Sequence, residues 1–224
     1  MTDPLLDALR AYDTPTLANA LDGLTDRPAT EGFTRPPIHS ILPALPAMVG
    51  YAVTCTITSE APFPSAEAKA SAMTPLYDLV DRAPKPSVIV VQDLDGGAGC
   101  LWGEVNSTIC RALGCEGVVT DGLVRDLPDV EALGFRYLAR GVGVARANVQ
   151  IVDVDVPVTV GGMAVVPGDV IHADRHGALV VPTEALAGLP AAADAVMARE
   201  DRLLTWVRSP DFAPGQLAAR RAQH

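Results

Sequence analysis

Two apolar stretches separated by a glycine-rich turn constrain the fold of this chain more than anything else in it. Residues 87–94 (SVIVVQDL) form an apolar run of strand length, and residues 117–120 (GVVT) form a second. Between them comes the turn GGAGCLWG, then Val105, Ile109, Ala112 and Leu113 at helical spacing until Gly114 can end the helix. The unit is strand, glycine-rich loop, helix, strand. In an open α/β sheet, ligands collect in the loops at the carboxyl ends of the strands. The first such loop leads to Glu104, and the second delivers Asp121, Gly122, Arg125 and Asp126.

A helix that starts in such a loop presents unpaired backbone N–H groups and the positive end of its dipole, which together attract a carboxylate or a phosphate. Two better-known glycine loops fit poorly. A P-loop requires Gly-Lys-Ser/Thr, whereas Gly103-Glu104-Val105 sets a carboxylate where phosphates want a cation. A dinucleotide fingerprint requires G-x-G-x-x-G, and Gly97, Gly99 and Gly103 miss that spacing by one residue. Asp121, after the second strand, can mimic a ribose-binding acid, so a nucleotide reading stays open.

The charged residues say more. Arg125 offers a planar fork of donors suited to a carboxylate, and the neighbouring acids suit a hard divalent cation such as Mg2+ or Mn2+. A 2-oxo acid matches both, because its carboxylate and keto oxygens chelate a metal that then acts as a Lewis acid. The same residues also have a structural reading. Asp126 precedes LPDVEALG, a helix with Pro in its first turn and Gly at its end. Asp126 can therefore be an N-cap, with Asp129 completing a capping-box-like arrangement and Arg125 forming an ordinary surface pair. Residue chemistry leaves both readings open.

Outside this unit the pattern predicts a mixed α/β chain of 224 residues, read as one domain over 1–224. Residues 5–10 and 14–21 read as helices, the second with Thr14 as N-cap and Pro15 at the first position; 50–59 reads as a strand and 65–82 as one helix. From residue 149 onward the character changes. Residues 149–160, 163–166, 170–173 and 178–181 read as short strands joined at Gly161-Gly162 and Pro167-Gly168-Asp169, followed by a terminal helix from about 190 to 207. The proline-bearing segment 27–46 is the one long irregular stretch, expected to wrap the surface or a subunit contact.

A formal charge of −10, from 17 basic and 27 acidic residues, argues against nucleic-acid or anionic-membrane partners. An anionic substrate then needs a local cationic focus, for which Arg125, a metal, Arg140 and Arg146 are available. No apolar stretch approaches the roughly twenty residues that span a bilayer, and the polar start Met1-Thr2-Asp3 lacks a signal-peptide pattern, so the expected address is cytoplasmic. Cys55, Cys100, Cys110 and Cys115 form neither a secreted disulfide framework nor paired C-x-x-C motifs. Buried thiols are the expectation, with Cys100 in the glycine loop the one candidate for a chemical role. His172 and His176, four apart, flank a turn between apparent strands, so a polar turn is expected rather than a shared metal.

The chain resembles the RraA-like family, which includes metal-dependent 4-hydroxy-4-methyl-2-oxoglutarate and 4-carboxy-4-hydroxy-2-oxoadipate aldolases. The resemblance runs from Asp13-Thr14-Pro15-Thr16-Leu17 through Val49-Gly50-Tyr51-Ala52-Val53-Thr54 to Val166-Pro167-Gly168-Asp169 and Ala173-Asp174-Arg175-His176-Gly177. Its core is an acid, twenty intervening residues, Arg-Asp, two residues and another acid, met here by Glu104, Arg125, Asp126 and Asp129. Departures from the usual pattern, Val105 and Asn106 after the acid and Cys100 and Trp102 in the loop, bear on the substrate more than on the chemistry.

The resemblance implies that Arg125 binds the carboxylate and keto oxygen of a pyruvyl unit and that Asp126 holds the metal. Glu104 would orient metal-bound water, and the backbone around Gly103, Glu104, Val105 and Asn106 would cradle the substrate carboxylate. Asp129 would support the site from behind, and Glu200 of a neighbouring subunit would complete the metal's water shell. It further implies a layered, swivelling-domain-like (phosphohistidine-domain-like) α/β sandwich with a C-terminal helix, assembled as a homotrimer or hexamer. The expected activity is divalent-metal-dependent class II pyruvate aldol cleavage of a 4-hydroxy-2-oxo acid, with oxaloacetate decarboxylation through the same enolate. The family also contains protein-binding inhibitors of ribonuclease E, and an acidic surface suits such a role. A methyltransferase reading would leave the Arg-Asp pair unexplained.

Overall fold

The run at 87–94 becomes the centre of a sheet because both of its faces are apolar. In the computed structural model, which describes residues 3–222, two short helices come first, α1 (Pro4–Leu9) and α2 (Thr14–Leu21). Met1 and Thr2, part of the polar start noted above, lie outside the described residues. β1 (His39–Ser40) and the long β2 (Met48–Thr58) follow, then α3 (Ala66–Ser71), α4 (Thr74–Arg82) and β3 (Ser87–Asp93). The middle of the chain holds β4 (Cys100–Trp102), α5 (Glu104–Ala112), β5 (Cys115–Thr120) and β6 (Leu123–Val124). It continues with α6 (Leu127–Leu133), β7 (Arg136–Ala139) and β8 (Gly141–Val142). The last part contains β9 (Gln150–Val154), β10 (Val158–Val160), β11 (Met163–Val165), β12 (Val170–Ala173), β13 (Ala178–Val181), α7 (Leu189–Val207) and α8 (Leu217–Ala222). No helix among the described residues is long and apolar enough to cross a membrane.

The main sheet has eight strands in the order β1-β7-β5-β3-β2-β12-β13, with β9 also paired to β2. β7, β5, β3 and β2 run parallel; β1, β9 and β12 are antiparallel to them, and β13, antiparallel to β12, returns to their direction. Parallel neighbours need long crossovers, and α3 with α4, then α5, then α6 supply them. The apolar faces of α4, α5 and α6 cover one side of the sheet: Leu76, Val80, Cys110 and Val130 meet Ile89, Val91 and Val118. The alternate residues Val88, Val90 and Val119 face the β10–β11 hairpin through Val158, Val160, Met163 and Val165. Burial on both faces is why this strand reads as unbroken apolar sequence. α1, α2 and α7 form a further apolar layer over Val49, Val170 and Leu179.

Three sequence expectations are corrected. The helix expected over 65–82 is two helices, because Pro75 lacks an N–H and its ring clashes with a continuing turn; it sits instead in the first turn of α4. The strand expected over 149–160 breaks at Asp155, which has φ 59°, and at Pro157, so that β9 pairs with β2 and β10 with β11. The N-cap of α2 is Asp13, not Thr14: its Oδ1 accepts the Thr16 N–H at 2.8 Å, and its charge complements the helix dipole. The end of the irregular segment 27–46 is fastened by the buried Arg136, which donates to Pro46 O at 3.0 Å and to Ser40 Oγ at 2.9 Å.

Candidate active site

The loops leaving β3, β5 and β7 are held together by a second, smaller sheet. β4, β6 and β8 form a parallel ribbon in which Cys100 pairs with Leu123, Leu123 with Gly141, and Val124 with Val142. The ribbon repeats the neighbour order of the strands beneath it, so residues far apart in sequence emerge side by side. Just past its end the Arg125 N–H donates to Trp102 O at 2.9 Å. Gly103-Glu104 and Arg125-Asp126 are thereby brought into contact.

Asp126 decides between the two readings of its residue type. It occupies the N-cap position of α6, yet its side chain makes no capping hydrogen bond. The Asp129 carboxylate is exposed and completes no capping box, so the structural reading is corrected on both counts. Instead the backbone sits at φ 58°, ψ 43°, a left-handed conformation that costs a non-glycine residue about 1 kcal/mol or more. That conformation turns the side chain so that Oδ2 accepts the Glu104 N–H at 3.0 Å, while Arg125 Nε lies 3.7 Å from the same oxygen. Asp126 Oδ1 has no hydrogen-bond partner among the described residues. Gly103 makes the approach possible: a Cβ there would lie 2.4 Å from Asp126 Oδ2 and 3.1 Å from Arg125 Nε.

These groups open into a cavity of about 560 Å3 lined by Gly103, Val105, Asn106, Arg125 and Asp126, with Lys69, Met73, Tyr77, Cys100 and Arg146 also in its wall. The cavity lies at the start of α5, where the N–H groups of Val105 and Asn106 have no acceptor within the helix. Glu104 contributes its backbone; its side chain is exposed and does not line the cavity. Tyr77 donates to Asn106 Oδ1 at 2.7 Å, and Asn106 Nδ2 donates to Leu101 O at 2.6 Å, so the amide braces the loop. Burial pushes the Tyr77 phenol up to about 12, with Arg146 pulling the other way, so it stays a neutral donor.

The remaining candidates fall elsewhere. Glu200 lies on α7, in a larger cavity of about 770 Å3 shared with Asn19, Asp22 and Arg199. That cavity receives none of the loops from the carboxyl edge of the sheet, and we place the site in the smaller one. Arg140 is also outside, donating to Gly96 O at 2.6 Å, whereas Arg146 is inside. Asp121 is no free ribose ligand: its Oδ1 accepts the Asp93 N–H at 2.7 Å, and burial raises the pKa of both carboxyls. All four cysteines are buried and unpaired, and burial pushes the Cys100 thiol up although Arg125 pulls it down, so it is no thiolate. His172 is buried in β12 against Thr14 Oγ1 at 3.0 Å, while His176 sits on the turn beside Asp174. Lys69 and Tyr77 escape a sequence reading because a helix charge normally marks a solvated face and a helix aromatic a core position.

No group of three or more His, Cys, Asp or Glu converges among the described residues, which argues against a closed zinc site. A magnesium-like ion needs no such cage, since it keeps several waters and takes one or two carboxylates plus substrate oxygens. A half-buried Asp126 carboxylate with one oxygen unbonded at an open cavity fits that type of ion.

The model of the RraA-like family, described as Aldolase/RraA, matches residues 14–180. A protein of Halalkalibacterium halodurans, provisionally named 4-hydroxy-4-methyl-2-oxoglutarate aldolase, is 32% identical over 99 residues, covering 43% of this chain and 47% of that one. The sequence relatives are matched over 24% to 65% of their own lengths. A crystal structure of an uncharacterized protein from Pseudomonas syringae pv. tomato superposes with a TM-score of 0.76 at 26% identity, over 100% of this chain and 95% of that one. Streptomyces coelicolor RraAS2, described as an unusual member of the RNase ES inhibitor RraA protein family, gives a TM-score of 0.70 at 24% identity, over 90% and 96% of the two chains.

Proposed function

The chain belongs to the RraA-like family, and from that premise we propose that it is a divalent-metal-dependent lyase that cleaves a 4-hydroxy-2-oxo acid, such as 4-hydroxy-4-methyl-2-oxoglutarate, to pyruvate and a carbonyl product. The observation that carries the reading is Asp126, held in a left-handed conformation with its carboxylate beside Arg125 rather than on its own helix. The Glu104 N–H engages one oxygen of that carboxylate, which leaves the other available to a ligand beside Arg125. The names of the sequence relatives point the same way.

In this reading Arg125 holds the substrate carboxylate and keto oxygen, and the N–H groups of Val105 and Asn106 take up the remaining lone pairs. Asp126, with Glu104 through water, would hold Mg2+ or Mn2+, which when bound supplies Lewis-acid stabilisation of negative charge. The C4 hydroxyl loses its proton, the C3–C4 bond breaks, and its electron pair passes to a pyruvate enolate that is later protonated at C3. Arg125 faces the charge that develops. Glu104, exposed between the cavity-lining Gly103 and Val105, would act on the reacting protons only through water, and Asp129, exposed on the first turn of α6, would support the site without direct contact. Loss of carbon dioxide from oxaloacetate leaves the same enolate, so decarboxylase activity belongs to the proposal.

The proposal extends to assembly and place. A swivelling-domain-like layered fold would assemble as a trimer or hexamer in the cytoplasm, with the partner subunit's Glu200 reaching the metal's waters. Apolar surface around the cavity mouth supports a covering copy: Val105 is 69% exposed, Val142 56% and Val144 91%.

The test is pyruvate release from 4-hydroxy-4-methyl-2-oxoglutarate and from oxaloacetate, with and without Mg2+ or Mn2+, after subtracting the reaction of free metal. Turnover that needs metal and falls roughly 100-fold or more in Arg125→Ala is expected. Absence of turnover above background, together with binding to ribonuclease E that survives a chelator, would replace the lyase by a protein-binding regulator.

A further inference from the structure

The cavity is more cationic than a pyruvyl unit requires. Its charged wall residues are Lys69, Arg125 and Arg146 against Asp126, in a chain whose acids outnumber its bases 27 to 17. Neither Lys69 nor Arg146 makes an ion pair among the described residues. Arg146 has its guanidinium 5.9 Å from the Phe63 ring centroid, and its charge is felt by the Tyr77 hydroxyl in the same wall. Lys69 lies on a stripe of helical spacing, with Ala66 and Ala70 beside it and Met73 just beyond α3, and all four line the cavity. The two alanines add little bulk to that stretch of the wall. An occupant with one carboxylate, met by Arg125, would leave two cations facing the cavity without a partner.

We propose that Lys69 and Arg146 form a second anion subsite that receives the far carboxylate of a 2-oxo diacid whose pyruvyl end is held by Arg125 and Asp126. The inference rests on the pyruvyl reading of the site and adds the residues that select the other end of the substrate. Selection works in both directions. A diacid neutralises the pair, whereas a mono-acid of the same length brings apolar carbon against two hydrated cations. Bound metal sharpens the demand, because it adds positive charge near Asp126 that a single carboxylate does not balance.

The test compares two ligands that differ only in the far carboxylate, 2-oxoglutarate and 2-oxopentanoate, by calorimetric titration of the full chain in the presence of Mg2+. Neither carries the 4-hydroxyl needed for cleavage, so binding is read without turnover. The wild type is expected to favour 2-oxoglutarate by about tenfold or more. In Lys69→Met with Arg146→Met that preference disappears through weaker binding of 2-oxoglutarate, and Lys69→Arg restores it when Arg146 is intact. Equal binding of the two acids by the wild type, or a preference that survives the double substitution, overturns the subsite while leaving the pyruvyl site standing. If neither acid binds the wild type, the pyruvyl reading itself fails and the subsite falls with it. Both residues lie on the cavity wall outside the core, and a melting curve coincident with the wild type verifies that each variant is folded.

Discussion

At Gly103 a hydrogen in place of a methyl group lets Asp126 reach the Glu104 N–H. A Cβ there would lie 2.4 Å from the Asp126 carboxylate and 3.1 Å from Arg125 Nε, both of them ends of side chains that can swing away. Gly103→Ala is therefore expected to keep the fold, with a melting temperature within about 2 °C of wild type, and to displace the site. A displacement of that size lowers kcat/KM about 100-fold, measured as pyruvate release beside a thermal melt. The spacing of Glu104, Arg125, Asp126 and Asp129 was legible in the sequence, but the direction of the Asp126 side chain was not. An aspartate ahead of Leu-Pro is equally good sequence for a cap and for a ligand. Only the positive φ, which follows from the tertiary position of the loop, separates the two.

Among the elements, those with a long period were legible and those without one were not. The central strand and α5 follow from apolar runs and spacing, whereas the break between α3 and α4 was missed, because a Pro in a first turn leaves the helical spacing on either side of it intact. β4, β6 and β8 are two or three residues long, too short to carry any periodicity, and they exist because the strands below bring their loops into register. Gly143 reports on that ribbon. A Cβ there would meet Cys100 Sγ at 2.6 Å and Leu123 Cδ1 at 2.9 Å, one residue on β4 and the other on β6. Gly143→Ala is expected to lower the unfolding free energy by about 1–3 kcal/mol in urea titration, as overpacking does. Faster amide exchange at Arg125 should accompany it, because that N–H donates to Trp102 O at the ribbon's end.

For the whole molecule, acid resistance depends on a residue far from the chemistry. His172 is fully buried where β12 meets the start of α2, and burial lowers its pKa to about 4 from 6.5, with Asp174 opposing the shift. The native state thus keeps the ring neutral while the unfolded chain protonates it. The stabilisation is complete above pH 6.5, is lost as pH falls through that value toward 4, and amounts to about 3 kcal/mol across the window. Asp93 and Asp121 act in the opposite sense, since burial raises both and protonation relieves them. Urea titrations at pH 7, 5.5 and 4.5 should show the decline, and His172→Gln should flatten it while leaving Thr14 a partner. The ribbon of β4, β6 and β8 has a consequence on another timescale. Three loops that are cross-linked by main-chain hydrogen bonds cannot lengthen one at a time without shifting the other two. New specificity in this scaffold is then reached more readily by exchanging side chains on α3 and around residue 146, outside the ribbon, than by grafting a foreign loop after any single strand.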